Sequence, residues 1–250
     1  MSGFDPIRRS EQVSRLVCEG ERRRYRRFRA ARFYGGIATA DCVGCSLRCL
    51  FCWSWPEVVH PEAVGELCSP ADVARRLTSI ARKKGFRQVR ISGNEPTLCR
   101  EHLLGVLAEL PKDLLFILET NGILLGHDAS YAEALSRFSN VSARVSLKGT
   151  SEEEFSRLTG ASPDGFSLQL GALENLYRRG VRVHAAAMVS FSPQENVRAL
   201  RRRLARIAPA LADLEVEELV LYGDVEDRLR KAKLIPGTAH DPRKIPPEQV

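Results

Sequence analysis

The sequence predicts an α/β fold in which a parallel sheet curls into an open, partial (β/α)6 barrel of the TIM type. Three observations point there. From residue 35 to about 225, apolar segments of strand length alternate with amphipathic segments of helix length. Strands joined through a helix run parallel, because the right-handed crossover packs the helix back onto the sheet. Six strands are countable, centred near residues 38, 90, 117, 144, 185 and 220, which is short of the eight that close a barrel.

The elements follow in order. Residues 1–34 read as a basic helical extension, with helices over 6–18 and 21–32 broken at Gly20 and a stripe of Val13, Leu16, Val17, Tyr25 and Phe28. The chain carries +7 over 250 residues, yet residues 1–36 alone hold ten arginines against Asp5, Glu11, Glu19 and Glu21, a balance of +6. Arg22 to Arg29, interleaved with Tyr25 and Phe28, suits either a solvated face pinned by two aromatics or a stripe that binds phosphates and stacks on bases.

The barrel spans 35–225. Gly35 to Ala40 delivers the chain to a cysteine loop. Ser69, Pro70 and Gly85 mark a helix to about Lys84, by N-cap, first-turn proline and a terminal glycine. Gln88–Ser92 is a strand, 100–110 a helix closed by Pro111, and Leu114–Glu119 a buried strand. Helix 129–138, strand 141–147 and helix 151–158, capped by Ser151, come next. Helix 166–179 ends at Gly180, and strand 181–189, helix 193–208 and strand 218–222 complete the set. Residues 226–250 form a proline-containing, irregular tail.

Composition narrows the class. An apolar share of 44% and a charged share of 28% belong to a soluble globular chain. There is no apolar run of spanning length and no apolar signal core, so a cytoplasmic protein without membrane contact is expected. The odd cysteine count and tight clustering argue against a disulfide framework and for thiols kept reduced for metal.

Chemistry concentrates at the strand ends, where parallel α/β proteins gather functional groups. Four of the seven cysteines lie between Cys42 and Cys52, and Cys45, Cys49 and Cys52 have the spacing C-x3-C-x2-C. Thiolates so placed converge on a soft metal centre, and three ligands leave one iron of a four-iron cluster open. Ser92-Gly93-Asn94-Glu95-Pro96 follows the second strand, Glu119-Thr120-Asn121-Gly122 the third, and Ser146-Leu147-Lys148 ends the fourth. Singly, such Gly-Asn and Asn-Gly pairs are ordinary turn formers. Together they line one rim. Cys42 permits three readings beside a three-ligand site: part of a four-cysteine zinc knuckle or closed cluster, a packed thiol, or a neighbour able to ligate the open iron when substrate is absent. Cys18, Cys68 and Cys99 are isolated, as small core residues usually are.

Cys45-Ser-Leu-Arg-Cys49-Leu-Phe-Cys52 resembles the signature of the radical S-adenosylmethionine (radical SAM) superfamily. Ser92-Gly-Asn-Glu-Pro96 resembles its Gly-Gly-Glu-Pro segment, with Asn94 at the second glycine. The resemblance covers about 35–225 and implies that family's partial barrel. It implies that Cys45, Cys49 and Cys52 ligate a [4Fe–4S] cluster and that S-adenosylmethionine chelates the open iron. It further implies that backbone groups around Gly93, Asn94, Glu95 and Pro96 meet the cofactor's amino group, with Phe51 near the adenine. Asn121 lies on the same rim, and Ser146, Lys148 and Ser190 are candidates for the ribose and carboxylate.

The implied reaction is reductive cleavage to a 5′-deoxyadenosyl radical that abstracts hydrogen from a substrate in the barrel mouth. An electron donor such as flavodoxin or ferredoxin and a lid formed by the N-terminal helices or the tail are expected with it. Within the family, Glu119-Thr-Asn-Gly122 and Ser146-Leu-Lys148 with Leu158-Thr-Gly160 resemble the group of pyruvate formate-lyase activating enzyme, though Ser146 stands where that group has Asp. Cys49-Leu-Phe-Cys52-Trp53 resembles wybutosine-type tRNA-modifying enzymes. The substrate, whether small molecule, protein or RNA, stays open, as does a non-catalytic iron–sulfur protein.

Overall fold

The computed structural model describes residues 3–246. Helix α1 (Pro6–Val17) starts at Asp5, whose carboxylate accepts the Ile7 and Arg8 amides, with Pro6 in the first turn. Strands β1 (Cys18–Glu19) and β2 (Arg22–Ala31) follow. The second expected helix is thus a strand. Arg23 and Tyr25 are fully buried while Arg22 and Arg26 are exposed, and β2 pairs antiparallel with β3 (Ile37–Cys42) from Tyr25↔Cys42 to Ala31↔Ile37. A sheet partner overrides the weak helical preference of an arginine-rich segment. The register shifts between Tyr25 and Arg27. This bulge puts the neighbours Arg26 and Arg27, and then Arg29, on the same cavity. The basic run therefore belongs to the barrel sheet, not to a separate helical extension.

Helix α2 (Trp55–Val59) leads to β4 (Glu66–Cys68), which pairs with the other edge of β2. Next come α3 (Pro70–Lys84), β5 (Gln88–Gly93), α4 (Arg100–Glu109), β6 (Leu115–Thr120), α5 (Ile123–His127) and α6 (Ala129–Ser136). Then β7 (Val141–Leu147), α7 (Glu152–Thr159), α8 (Asp164–Arg178), β8 (Arg182–Met188), α9 (Gln194–Ile207) and β9 (Glu215–Glu217) complete the barrel. The sheet order is β1-β2-β3-β5-β6-β7-β8-β9, parallel from β3 to β9 and not closed. The sixth parallel strand falls at Glu215–Glu217, before the expected 218–222. Strand β10 (Leu219–Val220) instead pairs with β11 (Ala239–His240), with α10 (Val225–Lys231) between them. The tail is thus partly regular, and only 247–250 of the expected irregular segment lie outside the described residues.

Alternation sorts side chains to two faces. Val89, Ile91, Phe116, Leu118, Ala143 and Val145 pack under the helices as the main core, while Arg90, Ser92, Glu119, Arg144 and Ser146 line the cavity.

Arg23 ties the start of the barrel to its rim. Its buried guanidinium donates to the carbonyls of Val43 at 3.2 Å, Glu95 at 2.6 Å and Pro96 at 3.3 Å. Nearby, His102 Nδ1 lies 2.7 Å from the Glu21 carbonyl and Nε2 lies 2.9 Å from the Tyr25 hydroxyl. A carbonyl only accepts, so Nδ1 carries the proton and Tyr25 donates to Nε2. Burial pushes the His102 pKa down to about 4. Cys18 and Cys99 form a disulfide with their Cα atoms 6.2 Å apart, clipping the end of α1 to the start of α4. The expectation of unpaired thiols is corrected for these two, whose separation of 81 residues hides their proximity.

Two expectations follow. The unfolded chain binds a proton on His102 near pH 6.5 and the folded chain only near pH 4, so this residue's stabilisation is complete above 6.5 and lost on acidification. Denaturant unfolding of the wild type minus His102→Gln should therefore shrink by about 3 kcal/mol between pH 6.5 and 4; equal pH slopes would refute the assignment. Arg23→Met leaves three carbonyls without donors and should lower stability by roughly 3 kcal/mol or more in urea. A loss below about 1 kcal/mol would show that the clamp is dispensable.

Candidate metal and cofactor site

A cavity of about 1390 Å³ opens at the C-terminal ends of the strands, and Cys45, Cys49 and Cys52 line it while Cys42 does not. The chain leaves β3 at Cys42 and turns at Gly44, whose φ of 88° favours glycine. The Gly44 amide donates to Asn94 Oδ1 at 2.9 Å, and the Arg48 and Leu50 amides pin the loop to the carbonyls of Thr159 and Leu158 at the end of α7. Burial pushes the Cys45 thiol up to about 12, with Glu95 adding to it. Cys49 and Cys52 are raised by burial too, and the Lys148 ammonium offsets part of this for both. Such thiols need a metal to become thiolates.

Cys42 sits elsewhere. It is 1% exposed, its thiol lies against the Arg23 guanidinium and the Asn94 backbone, and burial raises its pKa. Among the described residues no three His, Cys, Asp or Glu side chains close around a single ion. Cys42 is thus turned toward Arg23 and away from the cavity that the other three thiols line. The three cavity thiols, soft donors beside an ammonium, suit an iron–sulfur cluster, in which each thiolate meets its own iron.

The neighbouring wall is built by the ends of β5, β6 and β7. Gly93 has φ of 99°, and a Cβ there would lie 3.0 Å from the Cys42 carbonyl oxygen, so only glycine leaves this cradle open. Asn94 turns its Oδ1 to Gly44, and its buried Nδ2 has no partner among the described residues. The Glu95 carboxylate accepts from the Thr97 amide and hydroxyl, the Thr120 hydroxyl and the Asn121 amide, at 2.6–3.1 Å. It braces the two loops rather than waiting for a ligand. Asn121 Nδ2 donates to Ser46 Oγ at 3.2 Å and approaches Cys45 Sγ at 3.6 Å.

Lys148 Nζ donates to Ser146 Oγ, which donates to Glu217 at 2.8 Å. Buried Gln169 locks this corner by donating to the Asn121 and Ser146 carbonyls and accepting the Lys148 amide. Phe51 lines the cavity and packs near Phe191, with centroids 6.1 Å apart. Two expected contacts lie off this wall. Ser190 Oγ accepts the Leu219 amide at 2.8 Å, and the carbonyl of buried Pro96 faces Arg23.

Deeper in, the barrel is charged where closed barrels are filled by Val, Ile and Leu. Arg90 pairs with Glu119 at 2.6 Å, and Arg144 with Glu215 at 2.6 Å and Glu217 at 2.7 Å. Burial raises Glu215, yet His184 and Arg144 hold it down at about 2. Glu217 is likewise lowered against its burial by Arg144 and Lys148. Tyr34 donates to Glu119 at 2.7 Å from below. These residues and Gln169 were not among the expected site residues. Their signal was single charges between apolar neighbours, as in Val89-Arg90-Ile91 and Ala143-Arg144-Val145. On β2, Arg23 is buried, Arg24 donates to the Gly65 carbonyl, Arg26 meets Glu57, and Arg27 and Arg29 meet Asp41.

Comparison with known proteins agrees with the geometry. A family model described as the radical SAM superfamily matches residues 41–205. GTP 3′,8-cyclase of Rhodococcus opacus (strain B4) is 30% identical over 118 residues, covering 46% of this chain and 32% of the relative. That of Klebsiella pneumoniae (strain 342) is 26% identical over 208 residues, covering 81% of this chain and 59% of the relative. The chain thus spans from a third to three-fifths of these relatives' length. Streptococcus suis SuiB bound to precursor peptide SuiA has a TM-score of 0.56 at 19% identity, over 79% of this chain and 44% of that one, a likeness of fold. With most of its barrel inside the family match, the chain belongs to the radical SAM superfamily, whose cofactors are a [4Fe–4S] cluster and S-adenosylmethionine.

Proposed function

We propose that this chain is a radical SAM enzyme that abstracts hydrogen from a small polar substrate held in the barrel interior, with Cys45, Cys49 and Cys52 as the cluster ligands. One observation carries the reading: three cysteines, and not the fourth, open onto the same cavity as Gly93, Asn94, Asn121, Ser146 and Lys148. When bound, the cluster and S-adenosylmethionine supply one-electron reductive cleavage of a sulfonium and, from it, hydrogen-atom abstraction; the protein's part is to bind, orient and exclude water.

The chain's own residues divide that work. Gly93 leaves its main chain open to close approach, and Asn94 fixes the cysteine loop beside it by accepting the Gly44 amide. Lys148 balances negative charge at Cys49 and Cys52. Asn121 holds the first cysteine turn in place through Ser46. Tail residues Pro242, Arg243 and Ile245 lie along the cavity edge and limit its access to water. The electron comes from a reduced carrier such as a flavodoxin or ferredoxin.

For the substrate, relatives named GTP 3′,8-cyclase support a small molecule over a glycyl-radical protein, and the charged barrel interior suits a polar one. No observation on the described residues favours an activase.

Anaerobically reconstituted protein with dithionite should convert S-adenosylmethionine to 5′-deoxyadenosine and methionine, scored by chromatography. An intact cluster without cleavage would sink the proposal. Cys45→Ala, Cys49→Ala and Cys52→Ala should each lose the cluster by iron analysis and visible absorption, while Cys42→Ala keeps it; loss in Cys42→Ala would restore a four-ligand site.

A further inference from the structure

Helix α10 lies outside the parallel barrel, yet it reaches back to the cysteine loop. Val225, Arg228 and Leu229 share one face of it by helical spacing. Val225 and Leu229 are buried and cluster with Leu50, Phe51 and Met188. Arg228 carries the contact further. Its Nε donates to the Leu50 carbonyl at 3.1 Å, Nη2 to the Cys52 carbonyl and Nη1 to Asp224. The guanidinium also lies 4.8 Å from the centroid of the Trp55 ring, at the start of α2. Within the loop, the Cys52 amide donates to the Cys49 carbonyl at 2.9 Å and closes the turn between them. Arg228 thus grips from outside the turn that presents two of the three cavity cysteines.

Its charge is unevenly answered. The Arg228 side chain is 10% exposed, whereas that of its ion-pair partner Asp224 is 62% exposed. Water screens such a carboxylate far more than it screens the guanidinium, so a net positive field remains at the Cys49–Cys52 turn. Arg48 also donates to loop carbonyls, those of Cys45 and Leu47, but from within the loop's own fold. Arg228 acts on the loop from a separate element, so its charge can be altered without changing the loop's sequence. An iron–sulfur cluster gains one negative charge when it takes up an electron, and a fixed cation nearby favours that state.

We propose that Arg228 is a positioning residue that holds the Cys49–Cys52 turn and raises the reduction potential of the cluster, easing electron transfer from the reduced carrier. The inference rests on the reading of Cys45, Cys49 and Cys52 as the cluster ligands, and its test separates the two. Reconstituted wild type, Arg228→Gln, Arg228→Lys and Asp224→Asn are titrated anaerobically with dithionite. Reduced cluster is counted by electron paramagnetic resonance, and bound iron by chemical analysis.

Arg228→Gln should lower the equilibrium constant for reduction about tenfold, a midpoint shift of about 59 mV to more negative potential for one electron. Arg228→Lys keeps the charge and should stay near the wild type. Asp224→Asn removes the countercharge and should move the midpoint the opposite way. Equal midpoints in wild type and Arg228→Gln overturn the proposal. A fall in Arg228→Lys as large as that in Arg228→Gln overturns it too, because lost hydrogen bonds are then the cause. Should Arg228→Gln fail to hold iron, Asp224→Asn decides, since Asp224 is largely exposed and its side chain makes no cap hydrogen bond to α10. A more positive midpoint there supports the charge effect, and an unmoved one overturns it. Wild type that holds no reducible cluster strikes the ligand reading, and the inference falls with it. A normal wild-type cluster with unmoved variants strikes the inference alone.

Discussion

The buried guanidinium of Arg23 is the constraint on which the site depends. A fully buried charge survives only with hydrogen-bond partners on most of its donors, and Arg23 finds three carbonyls, one in the loop after β3 and two in the loop after β5. Those are the loops that carry the cysteines and Gly93. The same contact fixes what β2 must be. Only an extended segment paired with β3 points residue 23 under the rim while its neighbours across the bulge face the cavity. The Cys42 thiol fills the space beside the guanidinium, and this makes Cys42 part of the clamp and removes it from the cavity.

The rim was readable because its chemistry is local. Cys45, Cys49 and Cys52 announce themselves by spacing, and Gly93 by its place after a strand. Ser69, Pro70 and Ser151 mark helix starts through contacts with their own next few residues, and the helices they open fall where the sequence puts them.

What was misread depended on distant partners. The Arg22–Ala31 segment has a helix-compatible stripe, and only Cys42 and Glu66, far along the chain, decide that it is a strand. The Cys18–Cys99 pair and the Gln169 lock are invisible for the same reason. The last parallel strand was displaced because Leu219–Val220 is the more apolar stretch, whereas the barrel needed Glu215 and Glu217 to face Arg144. An interior built of charges inverts the usual reading of apolar runs as strands, so its edge strand is the one composition conceals.

That inversion is itself a statement about function. Filling the barrel with Val, Ile and Leu would stabilise the fold more simply, since buried ion pairs repay little of their desolvation. The chain instead holds Arg90, Glu119, Arg144 and Glu217 in mutual contact around open volume. Arg90 meets Glu119 on the neighbouring strand, and Arg144 reaches past β8 to Glu217, whose pKa it lowers against burial, so ion pairs rather than apolar side chains build this part of the interior.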